Sequence, residues 1–292
     1  MKQLELKGCG TALVTPFLED GEVDYEAYAA LVDRQVSGGV DFLVPLGTTA
    51  ETPALDPIEM VSLLEITADH AAGKPLLVGC GSNSVSTTLA RMAMLEGSAA
   101  DAWLVVVPFY NKPTQEGQFR YFKEIASRST KPIVVYNVPG RTGVNMLPET
   151  CLRLAREVPG IIGIKEASGK LEQAQEIIAG APSDFAVLSG DDALTLEMTK
   201  AGGQGVISVV SNLVPDKMAA MTRAALEGRL EEAEALDNAL RPLYKACFAE
   251  PNPIPVKAAL ASLGLCSDAM RLPLVPASEA VRVQLADALK SL

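Results

Sequence analysis

Residues 133–165 read IVVYNVPGRTGVNMLPETCLRLAREVPGIIGIK. An apolar run stands at each end, Ile133 to Tyr136 and Ile161 to Ile164, and an amphipathic stretch from Pro148 to Glu157 lies between them. Short apolar runs bounded by turn residues predict buried strands, and apolar residues spaced three and four apart predict a helix. The segment therefore predicts a strand–helix–strand unit.

Eight apolar runs of this kind occur along the chain: Thr11–Thr15, Phe42–Leu46, Leu76–Gly79, Trp103–Val107, Ile133–Tyr136, Ile161–Ile164, Phe185–Leu188 and Gly205–Val210. Most are apolar on both faces, as strands must be when helices cover one face and a barrel core the other. Amphipathic stretches separate them, at Tyr25–Ser37, Pro57–His70, Gly117–Ser129, Pro148–Glu157, Leu171–Ile178 and Leu194–Ala201. This alternation predicts the α/β class and a (β/α)8 TIM barrel. A doubly wound sheet, which usually has fewer strands, ranks second.

The pattern changes after Val214. Residues 219–239 are rich in Ala, Glu, Leu and Arg at helical spacing, and a proline-rich break follows at residues 250–255. Further helices are predicted over residues 256–263 and from Ser278 onward, with Ser278 as the N-cap. We therefore predict a barrel over residues 1–225, with its active site at the carboxyl ends of the strands, and a C-terminal helical region over residues 226–292.

The composition excludes several classes of protein. The 292 residues are 48% hydrophobic and 21% charged, which is sufficient for a sizeable core and excludes a disordered chain. The formal net charge of −11 argues against a nucleic acid or an anionic membrane as partner, because both require a basic face. The apolar runs are far shorter than the roughly 20 residues that cross a bilayer.

The cysteines and the single histidine limit the chemistry further. The five cysteines, at positions 9, 80, 151, 247 and 266, have no metal-ligand spacing, and we interpret them as reduced thiols. Residues 1–5 lack the apolar region of a secretory signal, so we expect a cytoplasmic protein. His70 alone cannot form a multi-histidine metal site, and we interpret it as an exposed residue at a helix end.

Lys165 is the lysine that directly follows an apolar strand run, at the end of a barrel where active sites lie. A buried ammonium is costly unless it is paired. Lys165 is therefore either a structural lysine beside a carboxylate or a Schiff-base nucleophile whose pKa an apolar barrel lowers.

Other strand runs end in groups that could serve such a lysine. Tyr136 ends the fifth run and is either a packing group or a proton carrier. Arg141, in the following Pro-Gly turn, is either a solvated loop residue or a guanidinium that binds a carboxylate through two hydrogen bonds. Thr48 and Thr49 either bond their own backbone or hold a small carboxylate. Tyr110 is a further phenol, after the fourth run.

Asp191 and Asp192 follow the seventh run. Many barrels build a phosphate site after strands seven and eight, and two carboxylates there oppose one. A phosphorylated substrate, and with it a phosphate-binding isomerase, is therefore disfavoured.

Four segments resemble one known family: GTTAE at 47–51, YNVPGRTG at 136–143, GIKEA at 163–167 and EPNPIPVK at 250–257. The family is dihydrodipicolinate synthase, within the pyruvate-dependent class I aldolases, and the similarity extends over essentially the whole chain. The resemblance implies a lyase that condenses pyruvate with L-aspartate-4-semialdehyde, the first committed step towards diaminopimelate and lysine. It further implies that no metal or organic cofactor is needed, and that the chain forms a homodimer or a homotetramer.

The resemblance also implies the catalytic residues. Lys165 is similar to the lysine that forms the imine. Tyr136, Thr48 and Tyr110 match a proton relay, and Tyr110 is expected to enter the site of the adjacent subunit.

The substrate-binding residues follow from the same motifs. Thr49 matches the residue that binds the pyruvate carboxylate, and Arg141 the residue that receives the semialdehyde carboxylate. Ile207 matches a residue whose backbone carbonyl faces the site. Gly190 resembles a strand-end glycine that leaves room for substrate.

Three positions depart from the family pattern: Ala50 replaces a glycine, Phe109 a second tyrosine, and Thr87 the glutamate of lysine-inhibited members. The last change predicts weak or absent inhibition by lysine. Two alternative functions are an aldolase or dehydratase acting on a sugar acid, such as N-acetylneuraminate lyase, and a non-catalytic barrel. Arg141 favours the synthase, because the semialdehyde carries a second carboxylate.

Overall fold

Eight strands alternate with helices through the described part of the chain, which is residue 4 and residues 6–292 of a computed structural model. The strands are β1 (Gly8–Ala12), β2 (Phe42–Val44), β3 (Leu77–Gly79), β4 (Ala102–Val106), β5 (Ile133–Asn137), β6 (Ile161–Glu166), β7 (Ala186–Ser189) and β8 (Gly205–Ser208). They are parallel, in the order β2-β1-β8-β7-β6-β5-β4-β3, and a bridge from Leu43 to Leu76 joins the two ends. The predicted (β/α)8 barrel is confirmed.

The helices cover the outside of this barrel. They are α1 (Tyr25–Ser37), α2 (Pro57–His70), α3 (Val85–Leu95), α4 (Gln115–Arg128), α5 (Pro139–Thr142), α6 (Pro148–Glu157), α7 (Leu171–Gly180), α8 (Thr195–Lys200), α9 (Pro215–Leu226), α10 (Leu230–Cys247), α11 (Ile254–Ser262) and α12 (Glu279–Lys290). Asp56 begins α2 with a capping box, since its side chain accepts the N–H of Glu59 while the Glu59 side chain accepts the N–H of Asp56. Ser278 precedes α12 as its N-cap, as predicted.

Two buried clusters divide the core. One fills the barrel and includes Phe42, Leu104, Tyr136, Leu188 and Ile207. The other, much larger, lies between the outer faces of the strands and the helices. Strands buried on both faces need apolar residues throughout, which explains why the runs show little alternation with polar residues.

The strand register places the candidate nucleophile. On β6, Lys165 stands opposite Tyr136 of β5 on one side and Leu188 of β7 on the other. Tyr136 and Leu188 belong to the cluster inside the barrel. Directly opposed residues of parallel neighbouring strands point to the same face, so the Lys165 side chain also points inward.

The predicted first strand is wrong by three residues, because β1 spans Gly8–Ala12 and not Thr11–Thr15. The strand was missed because its two glycines, Gly8 and Gly10, interrupt the apolar pattern. A Cβ on Gly10 would lie 2.1 Å from the Phe42 ring, so the close approach of this ring requires glycine.

The helical stretch predicted over residues 219–239 is two helices. Gly228, with φ +74°, ends α9 and lets the chain turn into α10. The α9 helix ends at Leu226, beside the predicted boundary between residues 225 and 226, and the division into two regions remains a prediction.

Two smaller expectations concern the chain ends and the histidine. Residues 1–3 and 5, on which the expected lack of a signal segment rests, lie outside the described residues. His70 ends α2, is partly exposed, and its Nδ1 lies 2.8 Å from Asp33 Oδ1, as expected for a helix-end histidine. Within residue 4 and residues 6–292, no helix is long and apolar enough to span a membrane.

Candidate active site

Lys165 lies inside the carboxyl end of the barrel and is 6% exposed. Its Nζ lies 4.4 Å from the centre of the Tyr136 ring. Among the described residues it has no carboxylate partner at salt-bridge distance. The structural alternative, a lysine held by a neighbouring carboxylate, is therefore not what the structure shows.

Burial lowers the pKa of Lys165 from 10.5 to about 8. The carboxylate of Asp192 opposes the change, and the guanidinium of Arg141 adds to it. At pH 7 about one molecule in ten then carries the free amine, against about one in 2,500 for an ordinary lysine. A nucleophilic amine is therefore available near neutral pH.

Tyr136 is buried on β5, beside Lys165. Burial raises the pKa of its phenol, while Arg141 and the Thr48 hydroxyl oppose the rise. The phenol thus remains protonated near neutral pH, between a hydroxyl and the candidate nucleophile. That arrangement suits a group that passes a proton to and from an oxygen of the substrate.

The turn after β2 holds Thr48 and Thr49 in a short 3-10 helix, Thr48–Ala50, with Glu51 as its C-cap. Thr49 Oγ1 accepts a hydrogen bond of 2.9 Å from Asn252 Nδ2, and the Ala50 carbonyl accepts one of 2.8 Å from Thr15. The hydroxyls of this turn therefore do more than bond their own backbone. Its shape depends on side chains far along the chain.

A buried ion pair holds the same turn in place. Lys257 Nζ lies 2.7 Å from Glu51 Oε1, and the two side chains are 0% and 2% exposed. Lys257 also donates to the Ala269 carbonyl at 2.6 Å and lies 4.3 Å from the centre of the Phe17 ring. Burial raises the pKa of Glu51, and the ammonium of Lys257 opposes that rise. The pair connects the turn after β2 to α11.

Arg141 lies in α5, directly after β5, and is exposed. Its Nη2 donates a hydrogen bond of 2.9 Å to the Asn252 carbonyl. Asn252 therefore contacts both predicted carboxylate-binding residues, Arg141 through its backbone and Thr49 through its side chain. Sequence reasoning did not identify this role, because the contacts join residues 111 and 203 positions apart.

A cavity of about 340 Å³ opens beside these residues. Thr48, Tyr136 and Arg141 line it, together with Phe109 and with Arg91 of α3. The described lining contains two guanidinium groups and no carboxylate, in a chain of net charge −11. The site therefore has the local positive charge that an anionic substrate requires.

The remaining predicted residues, including Lys165, lie outside that cavity lining. Thr49 is buried beneath the turn, and Ile207 lies on β8 inside the barrel. A Cβ on Gly190 would lie 2.6 Å from the Ala167 Cβ and 3.0 Å from Lys165 Cε. A side chain at position 190 would therefore displace the candidate nucleophile.

Tyr110 is separated from the other predicted catalytic residues. It is 84% exposed, with φ +72°, and it does not line the cavity of its own chain. Thr87 is also exposed, in the first turn of α3, and its hydroxyl accepts a hydrogen bond of 2.8 Å from Ser84.

Known proteins resemble this chain over almost its full length. The profile of the Dihydrodipicolinate synthetase family matches residues 5–292. The 4-hydroxy-tetrahydrodipicolinate synthase of Thermotoga neapolitana is 48% identical over 277 residues, 94% of each chain. That of Koribacter versatilis is 48% identical over 277 residues, 94% of this chain and 91% of the relative. The crystal structure of dihydrodipicolinate synthase from Thermotoga maritima has a TM-score of 0.96 at 46% identity and covers 98% of each chain.

Proposed function

The chain belongs to the dihydrodipicolinate synthetase family, and from this premise we propose that it is a lyase that condenses pyruvate with L-aspartate-4-semialdehyde. This is the 4-hydroxy-tetrahydrodipicolinate synthase reaction of diaminopimelate and lysine biosynthesis. The observation that carries the proposal is a buried lysine, without a carboxylate partner, whose pKa is lowered to about 8 beside a buried phenol. A sugar-acid substrate is less well supported, because the relatives reported above are named as the synthase.

The reaction begins at Lys165. Its free amine attacks the carbonyl carbon of pyruvate, and loss of water from the carbinolamine leaves an iminium. The iminium withdraws electrons, so a methyl proton departs and an enamine forms. Tyr136 and Thr48 carry protons to and from the carbinolamine oxygen, a role that suits a protonated phenol beside a hydroxyl.

The enamine carbon then attacks the aldehyde carbon of the second substrate. The amine of that substrate next attacks the imine carbon, closes the ring and releases Lys165. Thr49 binds the carboxylate of pyruvate and Arg141 that of the semialdehyde, which keeps the two reacting carbons close. The Ile207 carbonyl completes the substrate pocket, and the missing side chain of Gly190 leaves room for the Lys165 side chain itself.

The proposal includes a homodimer, or a homotetramer built from two dimers. Its support is Tyr110, a phenol with 84% exposure that lies outside the cavity of its own chain. In a dimer this side chain would complete the proton relay of the adjacent subunit. A cytoplasmic location belongs to the same proposal, since the reaction is one of amino-acid biosynthesis.

Trapping with borohydride tests the proposal directly. We expect one adduct per chain after incubation with pyruvate and borohydride, with the mass of pyruvate less one water plus two hydrogens. Peptide mapping is expected to locate it on Lys165. Lys257 is the internal control, because it is as deeply buried but paired with Glu51. An unchanged mass, or an adduct on another lysine, would contradict the Schiff-base mechanism.

Arg141→Ala is expected to raise the KM for the semialdehyde by about 10- to 150-fold, because a charge-assisted hydrogen bond to the carboxylate is worth about 1.5–3 kcal/mol. The KM for pyruvate is expected to change far less. Arg141→Lys is the matched control, since it keeps the charge but loses the two-pronged geometry. Initial rates with each substrate varied in turn measure both constants. An equal rise for the two substrates would argue against this role.

A further inference from the structure

Asp192 is a second buried ionisable side chain at the catalytic end of the barrel. It is 1% exposed and lies in the short 3-10 turn after β7. Its Oδ2 accepts hydrogen bonds of 3.1 Å from the backbone N–H groups of both Val209 and Val210. Its Oδ1 is also buried and has no hydrogen-bond partner among the described residues. A buried polar atom left without a partner is uncommon in a native protein and requires an explanation.

Lys165 lies on β6, and Asp192 lies in the turn that follows the neighbouring strand β7. Lys165 stands opposite Leu188 and Glu166 opposite Ser189, and Asp192 follows three residues after Ser189. Each of the two buried groups lacks an oppositely charged partner at contact distance among the described residues. The turn that carries Asp192 begins against Lys165, since a Cβ on Gly190 would lie 3.0 Å from Lys165 Cε. Consistent with this placement, the Asp192 carboxylate raises the pKa of Lys165 against the effect of burial.

The other ionisable groups around Lys165 do not replace this charge. Arg141 is a cation and lowers the pKa of Lys165, and Tyr136 is kept protonated by burial. Asp191 is not among the groups that shift Lys165, and its Oδ1 accepts the N–H of Ala193.

The groups around Asp192 on β1 and α10 are neutral near pH 7. They are Cys9, Tyr244 and Cys247, and burial raises the pKa of each. Burial raises the pKa of Asp192 to about 6, while the Ser208 hydroxyl and the N–H groups of Val209 and Val210 oppose that rise, so the carboxyl is ionised near pH 7. Asp192 is therefore the carboxylate whose charge reaches Lys165.

We propose that Asp192 is a positioning residue for the Schiff-base chemistry, which supplies the counter-charge for the Lys165 ammonium and for the iminium that replaces it. The ammonium and the iminium both carry one positive charge in the same place, so one fixed carboxylate stabilises both. Through Val209 and Val210 the same side chain joins the turn after β7 to the residues that directly follow β8, and β8 is the strand that contains Ile207. This inference rests on the proposed function.

The pH profile of Asp192→Asn tests the inference. The substitution keeps the size of the side chain and an oxygen that accepts N–H groups, but removes the charge. Since a negative charge no longer favours the ammonium, we expect the acid limb of kcat/KM for pyruvate to move to lower pH by about one unit. The KM for pyruvate is expected to rise, because the iminium loses its counter-charge. Asp191→Asn removes the same charge one residue earlier and is expected to leave the acid limb in place.

Three results separate the possible failures. An acid limb that is the same in wild type and Asp192→Asn would overturn the role of Asp192. A wild-type chain that forms no adduct with pyruvate and borohydride would overturn the proposed function itself. Circular dichroism establishes whether Asp192→Asn folds, and if it does not, Asp192→Ser replaces it. That variant also removes the charge and keeps a hydroxyl that can accept an N–H group, so the acid limb is again expected to move to lower pH, and an unmoved limb would overturn the inference.

Discussion

Lys165→Met is expected to reduce turnover by on the order of 10⁴-fold or more and, at the same time, to stabilise the fold at neutral pH. Under the proposed mechanism the activity is lost because a thioether cannot form an imine, and removing the nucleophile of a covalent mechanism has effects of at least this size. The stability is gained because the cost of burying the ammonium exceeds the stabilisation that the Asp192 carboxylate gives it, so an apolar chain of similar length is better accommodated. In the proposed mechanism, catalysis requires a group whose burial the fold alone would disfavour.

The size of the stabilisation follows from the pKa of Lys165, which is about 8 in the folded protein against 10.5 ordinarily. The difference corresponds to about 3 kcal/mol below pH 8. A lysine pKa lowered by folding means that the unfolded chain binds more protons between pH 8 and 10.5. The wild type therefore gains stability as the pH rises through this window, and the advantage of Lys165→Met disappears.

Urea denaturation at pH 7 and pH 10 measures this difference. Lys245→Met, on the exposed face of α10, is the matched control and is expected to show no such pH-dependent gain. A Lys165→Met variant that is less stable than wild type at pH 7, or equally more stable at both pH values, would contradict the argument.

Lys257→Met is expected to destabilise the fold by about 3–5 kcal/mol, because it leaves the Glu51 carboxylate buried without its partner. The double variant Glu51→Gln with Lys257→Met is expected to recover much of the loss, since no uncompensated charge then remains. Urea denaturation of the two single variants and the double variant gives the coupling free energy between the side chains.

An exposed ion pair provides the comparison. Lys290 and Asp287 lie 3.7 Å apart with side chains that are 78% and 72% exposed, so Lys290→Met is expected to leave the unfolding midpoint almost unchanged. If Lys257→Met were equally mild, or if the double variant were no more stable than Lys257→Met alone, Glu51 would not depend on Lys257 for its burial.

The sequence predicted those features that depend on short segments. The apolar run before Lys165 placed this residue at the end of a strand, and the structure has it there. The same reasoning was wrong for β1, because glycines that accommodate the Phe42 ring and an aspartate leave no apolar pattern. Local patterns therefore locate strands that are built from large apolar side chains. They miss strands in which glycines are needed because a neighbouring side chain packs directly against the backbone.

Contacts between distant segments could not be predicted in this way. Asn252 stands in a proline-rich motif, and nothing in its neighbours indicates that its carbonyl accepts from Arg141 and its amide donates to Thr49. The sequence indicated Asp192 only as a charge that opposes phosphate binding. Its burial and the absence of a hydrogen-bond partner for its Oδ1 among the described residues are properties of the packed barrel. Such roles arise from tertiary packing and require coordinates.

The pairing of Glu51 with Lys257 also has a consequence for synthesis of the chain. The two residues are 206 positions apart, so a ribosome that adds 5–20 residues per second makes Lys257 roughly 10–40 seconds after Glu51. During that interval the Glu51 carboxylate cannot pair with Lys257, and the Thr49 hydroxyl cannot accept its hydrogen bond from Asn252. The strands can form in order as the chain is synthesised. The turn that carries Thr48 and Thr49 acquires its native contacts only when nearly nine-tenths of the chain has been synthesised. If the proposed mechanism holds, an incomplete chain therefore has no finished site with which to react with a keto acid.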